Sequence, residues 1–133
     1  MTTFEIIFDG GSKGNPGFGY GSYQIRAGGE IVTEERLTFD HIGTAITNNQ
    51  AEYMTLIHAI ERLAIDRAGR LQETGVIVWG DSQLVINQVA GRWKVNNAGL
   101  RPLQQRAKSL LDTFGAAELR WHGRANSVRI LGH

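Results

Sequence analysis

Short apolar runs alternate with glycine- or amide-rich breaks along the chain, and the spacing of the apolar positions changes near residue 47. Phe4–Phe8 (FEIIF) stops at Asp9-Gly10-Gly11, the pattern of a buried strand. Five glycines and Pro16 between Gly11 and Gly21 predict a tight loop there. Gly19–Ala27 and Ile31–Phe39 read as two strands joined at Gly28-Gly29, so the first three strands form an antiparallel meander. From Thr47 the period becomes helical: Ala51, Met54, Leu56 or Ile57, Ala59, Ile60, Leu63 and Ala64 recur at three-four spacing behind the capping-box sequence Thr47-Asn48-Asn49-Gln50. Val76–Gly80 is a β-branched run of the kind buried on both faces of a parallel sheet. Ser82–Ala90 and Gly99–Phe114, the latter with Pro102 in its first turn, predict two further helices. Ala117–Trp121 is a last strand, and residues 122–133 leave room for one or two helical turns. Hairpins first and helical crossovers later define an α/β fold: a mixed five-stranded sheet, with three antiparallel N-terminal strands plus parallel strands and helices on both faces.

Composition narrows this further. At 133 residues and 14.7 kDa, 41% hydrophobic, residues 1–133 suit a single domain with a real core. No apolar stretch approaches the roughly 20 residues of a membrane span, and the start MTTFEIIFDGG has no signal-peptide pattern. The absence of cysteine excludes disulfides, thiolate metal sites and a cysteine nucleophile, and a cytoplasmic monomer is the expectation. The net charge of +1 hides an asymmetry: residues 1–66 carry four Lys/Arg against nine Asp/Glu, and residues 67–133 carry ten against four. That pattern suits a basic surface holding a polyanion beside acids that bind a cation, although chance could also produce it.

Asp9 and Asp81 each end an apolar strand run, where open α/β sheets gather reactive groups. Each could equally cap the following turn. Glu52 sits in the first turn of the long helix, in line with Leu56, Ala59 and Leu63, and so points toward the sheet. A carboxylate there needs a partner or a cation. Three such acids on one rim suggest divalent-cation ligation by oxygen, which favours Mg²⁺ or Mn²⁺. The run Asp9–Gly17 is neither a Walker loop nor a dinucleotide fingerprint; its bare backbone suits close approach by a ligand, or a plain hairpin turn. Gly91-Arg92-Trp93-Lys94-Val95-Asn96-Asn97 sets an aromatic between two cations, a candidate phosphate and sugar contact or simply a packed Trp93.

Together, Asp9-Gly10-Gly11-Ser12-x-Gly-Asn-Pro-Gly17, Thr47-Asn48-Asn49-Gln50-Ala51-Glu52-Tyr53 and Gly80-Asp81-Ser82-Gln83-Leu84-Val85 resemble type 1 ribonuclease H. The likeness runs from residue 4 to about 124, and the Gly91–Val95 stretch is similar to the short, handle-less bacterial and archaeal forms. It implies an endonuclease that cuts the RNA strand of RNA–DNA hybrids with two Mg²⁺ or Mn²⁺ ions, leaving 5′-phosphate and 3′-hydroxyl ends. Asp9, Glu52 and Asp81 match three of the family's four metal-binding acids. Gly11, Ser12, Asn15, Asn48 and Asn49 match contacts to the hybrid, where amides and bare backbone read 2′-hydroxyls. Thr47, with Asn96 or Asn97, matches the pocket that grips a DNA-strand phosphate.

The C-terminal segment departs from the family. No Asp or Glu follows Glu118, and the expected fourth acid falls on Leu131 counted from Arg124, or on Ile130 counted from Asn126. His133 as a neutral imidazole, the terminal carboxylate, Asn126, or no residue at all could fill that place. His122 reads as a surface or packing residue, and Arg124 as a contact to the scissile phosphate or the leaving product. The competing reading is a module that binds hybrid or double-stranded RNA with cleavage weakened or lost along with that acid. A third reading, a DNA transposase or resolvase on the same fold, is disfavoured because residues 1–133 show no extra DNA-binding domain. No protein partner is implied.

Overall fold

A computed structural model describes residues 1–132. Ten elements follow one another: β1 (Thr2–Lys13), β2 (Phe18–Ala27), β3 (Glu30–Thr38), α1 (Asn48–Asp66), a 3₁₀ turn at Leu71–Glu73, β4 (Thr74–Gly80), α2 (Gln83–Val89), α3 (Arg101–Leu111), β5 (Ala116–Trp121) and α4 (Arg124–Leu131). The five strands form one sheet in the order β3-β2-β1-β4-β5. β1 runs antiparallel to β2 and parallel to β4, which is parallel to β5. This is the mixed sheet read from the sequence.

Alternation along the strands decides the two faces. Ile6 and Phe8 of β1, Tyr23 and Ile25 of β2, and Val76 and Val78 of β4 join Tyr53, Leu56, Ile60 and Leu63 of α1 in the main core. Val85, Ile86 and Val89 of α2 and Ala107 and Leu111 of α3 complete it. The short α4 covers the other face, where Asn126, Arg129 and Ile130 border a cavity with Glu5, Ile7 and Trp79. Among the described residues, no helix is long and apolar enough to cross a membrane.

One boundary differs in a way that matters for the site. The predicted loop from Gly11 is strand: Gly11 pairs with Tyr20 and Ser12 with Gly19, so only the residues around the cis Asn15–Pro16 bond turn the chain. Asp9 is therefore inside β1, not at its end. It is β4 that stops there, since Phe8 pairs with Gly80 and Asp81 follows at once. Gly28 and Gly29 take φ of 60° and 83°, the left-handed pair that a two-residue hairpin demands.

Candidate active site

Three elements deliver the acids. β1 carries Asp9; the end of β4 carries Asp81; and α1 enters the sheet so that Glu52 faces both. The approach depends on Gly10, where a Cβ would lie 2.8 Å from the Ala51 carbonyl and the Glu52 amide nitrogen. Only a residue without a side chain lets α1 rest this close to β1. The helix start is fixed by the expected capping box: Thr47 Oγ1 accepts from the Gln50 backbone N–H, and Gln50 Oε1 accepts from the Thr47 N–H. Asp81 is held through its backbone, whose carbonyl accepts the Trp121 indole N–H at 2.9 Å. Ser82, not Asp81, caps α2 by accepting from Val85 N–H.

Asp9, Glu52 and Asp81 each offer a carboxylate oxygen, and these oxygens lie within 4.8 Å of one another. Asp9 and Glu52 are buried. Burial, and then the charges of Asp9 and Asp81, push the Glu52 carboxyl up to about 8, with a Ser82 hydrogen bond and the Arg124 charge opposing. Asp81 Oδ2 is buried with no hydrogen-bond partner among the described residues, and Arg124 approaches it only to 4.0 Å. A crowded, under-neutralised set of carboxylate oxygens fits a hard divalent cation, which would supply the missing positive charge and ligand bonds.

The acids open into a cavity of about 450 Å³, whose lining also includes Gly11, Tyr20, Asn48, Asn49, Ser82 and Arg124. Gly11, Asn48, Asn49 and Arg124 were expected there. Ser12 and Asn15 brace the wall from outside: Ser12 N–H donates to Asn48 Oδ1 at 2.8 Å, and Asn48 N–H donates to Asn15 Oδ1 at 3.0 Å. Tyr20 and Ser82 were missed. Tyr20 follows only from register, because it faces Gly11 across the hairpin with its hydroxyl 2.6 Å from where a Gly11 Cβ would stand. Ser82 could have been found as the neighbour of Asp81.

Thr47 sits about five residues before Glu52 on α1, roughly 7.5 Å along the axis. Asn97 Oδ1 accepts from Gly99 N–H, beside the side chain of Gln50, which leaves the Asn97 NH₂ as a donor near the helix start. Asn96 is exposed, and Trp93 is half exposed in the loop whose backbone is tied to the Asn87 carbonyl. Asn126 lines the separate cavity beneath α4 and not the acidic one. His122 is a packing residue: its Nε2 meets Ser127 Oγ at 2.9 Å, its ring stacks on Trp79 at 5.8 Å, and burial lowers its pKa. His133 lies outside the described residues.

A reverse transcriptase-like family model matches residues 29–129. Among curated proteins, the chain is 41% identical to ribonuclease HI of Halobacterium salinarum over 111 residues, covering 83% of this chain and 51% of that protein. It is 40% identical to the bifunctional protein Rv2228c of Mycobacterium tuberculosis over 124 residues, 92% of this chain and 32% of that protein. The chain thus spans about a third to a half of these relatives. The crystal structure of the Halobacterium salinarum enzyme superposes with a TM-score of 0.82 at 38% identity, covering 96% of this chain and 90% of that one. LC11-RNase H1, solved in complex with an RNA/DNA hybrid, matches with a TM-score of 0.84 at 27% identity, covering 95% and 89%. A mixed sheet with three acids converging where β1 and β4 part defines a ribonuclease H-like domain. Within that class, this chain belongs to the type 1 ribonuclease H family.

Proposed function

We propose that this domain hydrolyses the RNA strand of RNA–DNA hybrids, using Asp9, Glu52 and Asp81 to hold divalent metal. The observation that carries this is the three-carboxylate cluster, its oxygens within 4.8 Å and Glu52 raised to about 8. The hybrid bound to LC11-RNase H1 and the ribonuclease relatives support the substrate. Two ions, Mg²⁺ or Mn²⁺, would activate a water and stabilise the leaving 3′-oxygen, giving 5′-phosphate and 3′-hydroxyl ends. Asp9 within β1 and Asp81 just past the end of β4 would present oxygens to those ions, and Glu52 must lose its proton to join them. Asn48, Asn49 and the Gly11 backbone border the acids, placed to accept or donate to ribose 2′-hydroxyls. Thr47 and Asn97 offer an O–H and an NH₂ to a phosphate of the other strand, and Trp93 offers a stacking face. Arg124 faces the scissile phosphate. In this proposal His133 supplies the fourth ligand, since residues 119–133 hold no Asp or Glu. The domain acts as a monomer, in the cytoplasm that a cysteine-free chain suits.

The test is cleavage of a labelled hybrid with Mg²⁺ and Mn²⁺ in parallel, for wild type and His133→Ala. Cleavage by wild type with a large loss in the variant supports the full proposal. Cleavage equal in both removes His133 from the site and keeps the nuclease. Tight hybrid binding without scission in either metal replaces the nuclease with a binding module.

A further inference from the structure

The face of the sheet that bears Asp9 carries a second cleft of about 320 Å³, lined by Lys13, Tyr20, Gly21, Ser22, Arg36 and Leu37. Register connects the two. Asp9 faces Ser22 across β1 and β2, and Ser22 faces Arg36 across β2 and β3, so the three side chains stand in one row on one face. Gly11 and Tyr20 form the next row, and Lys13 follows on the same face of β1. The Tyr20 side chain borders both the acidic cavity and this cleft, and forms the wall between them.

The charge of the cleft has no counterpart among the described residues. Residues 1–66 hold four cationic side chains. Arg62 is paired with Glu35 and Asp66, and Arg26 donates to Gln24. Lys13 and Arg36, the other two, make no hydrogen bond or ion pair among the described residues, and both are exposed within the acidic half of the chain. With strands about 4.8 Å apart, Arg36 and Asp9 are separated at the backbone by about 10 Å. That distance equals two to three nucleotide rises of about 3.4 Å. Lys13 and Arg36, without partners among the described residues and gathered in one concave site, with Arg36 at this distance from Asp9, suit a phosphodiester of a strand lying over the acids. The pocket proposed above for a phosphate of the other strand lies elsewhere, where Thr47 at the start of α1 and Asn97 in the segment before α3 stand.

We propose that the Lys13–Arg36 cleft binds a backbone phosphate of the RNA strand, two or three nucleotides from the bond held over Asp9, Glu52 and Asp81. Tyr20 forms the ridge over which that strand passes. The inference rests on the hybrid-cleaving reading and adds a subsite to it.

The test measures hybrid affinity in EDTA, where nothing is cut, for wild type, K13A/R36A and the charge control R70A, whose exposed arginine lies just before β4. K13A/R36A is expected to raise Kd about tenfold or more at 0.1 M salt and to lower the salt-dependence slope by 1 to 2, with R70A near wild type. Methylphosphonates placed in the RNA strand two or three nucleotides from the cleavage point should weaken wild type and leave K13A/R36A unaffected. Equal Kd and slope for wild type and K13A/R36A, or equal sensitivity of both to the methylphosphonates, overturns the subsite. Hybrid binding by wild type with those outcomes leaves the hybrid-cleaving reading standing; failure of wild type to bind hybrid removes both.

Discussion

The guanidinium of Arg124 stands 4.0 Å from Oδ2 of Asp81, a buried carboxylate oxygen with no hydrogen-bond partner among the described residues. Arg124 is 75% exposed and Asp81 only 8%, so the cation waits at the rim while the anion is fixed below. The two meet because α4 begins after only two residues, His122 and Gly123, beyond β5, whose Trp121 holds the Asp81 backbone. Such a pair is too loose to neutralise the site and well placed to meet a phosphate that enters it.

Arg124→Ala should reduce kcat/KM on hybrid about tenfold. Because Arg124 holds the Glu52 pKa down against burial and its acidic neighbours, the variant should also shift the acidic limb of the pH–rate profile to higher pH. A pH series from 6 to 10 on both proteins reads both effects. A uniform drop with no shift would restrict Arg124 to substrate contact.

Glu52 makes metal-free stability depend on pH. Its folded pKa of about 8 lies above the unfolded value, so between about 4.5 and 8 the folded state holds the extra proton. Stability then falls as pH rises through that window and levels off above about 8. Glu52→Gln should remove the loss and stabilise the metal-free protein by about 2 kcal/mol at pH 8, with little effect near pH 4. Thermal melts in EDTA across that range check the sign; saturating Mn²⁺ should raise the wild-type Tm at pH 8 and raise the Tm of the variant less.

Gly10→Ala should be costly well beyond one methyl group. The new Cβ would sit 2.8 Å from backbone atoms of Ala51 and Glu52, which cannot swing aside. The expected loss is about 2–4 kcal/mol, with activity reduced further as Glu52 is pushed from Asp9. Denaturant unfolding and hybrid cleavage on the same preparation separate the two effects.

Thr47 has two jobs that substitution can divide. Thr47→Val removes the cap to Gln50 and should cost about 1 kcal/mol, whereas Thr47→Ser should keep it. If the hydroxyl also donates to a DNA-strand phosphate, Thr47→Val should raise the KM for hybrid beyond what its stability loss explains, with Thr47→Ser near wild type. Equal KM for all three would leave Thr47 as a cap only.

What the sequence made legible was whatever depends on local pattern. The Thr47 capping box, the apolar stripe of α1 and the double-glycine hairpin are each written within a few residues, and Glu52 could be aimed at the sheet from helical spacing alone. Pairing information was not local. Gly11-Ser12 looked like a loop because glycine is a poor strand residue by propensity, yet the register with Tyr20 and Gly19 carries β1 on to Lys13. For the same reason Tyr20 was invisible as a cavity wall, and the row from Asp9 through Ser22 to Arg36 could not be drawn. Residues 119–133 hold no Asp or Glu, and the structure adds that Arg124, not Asn126, borders the acids.

The most direct measurement is single-turnover cleavage of a 5′-labelled RNA strand, in hybrid and in double-stranded RNA, by wild type, Asp9→Asn and Asp81→Asn, with circular dichroism on each. Wild type should cut the hybrid only when Mg²⁺ or Mn²⁺ is present and leave 3′-hydroxyl ends. Each variant should be slower by at least about a thousandfold while remaining folded. Metal-independent cleavage, or folded Asp81→Asn cutting at the wild-type rate, would contradict the assignment of the three acids.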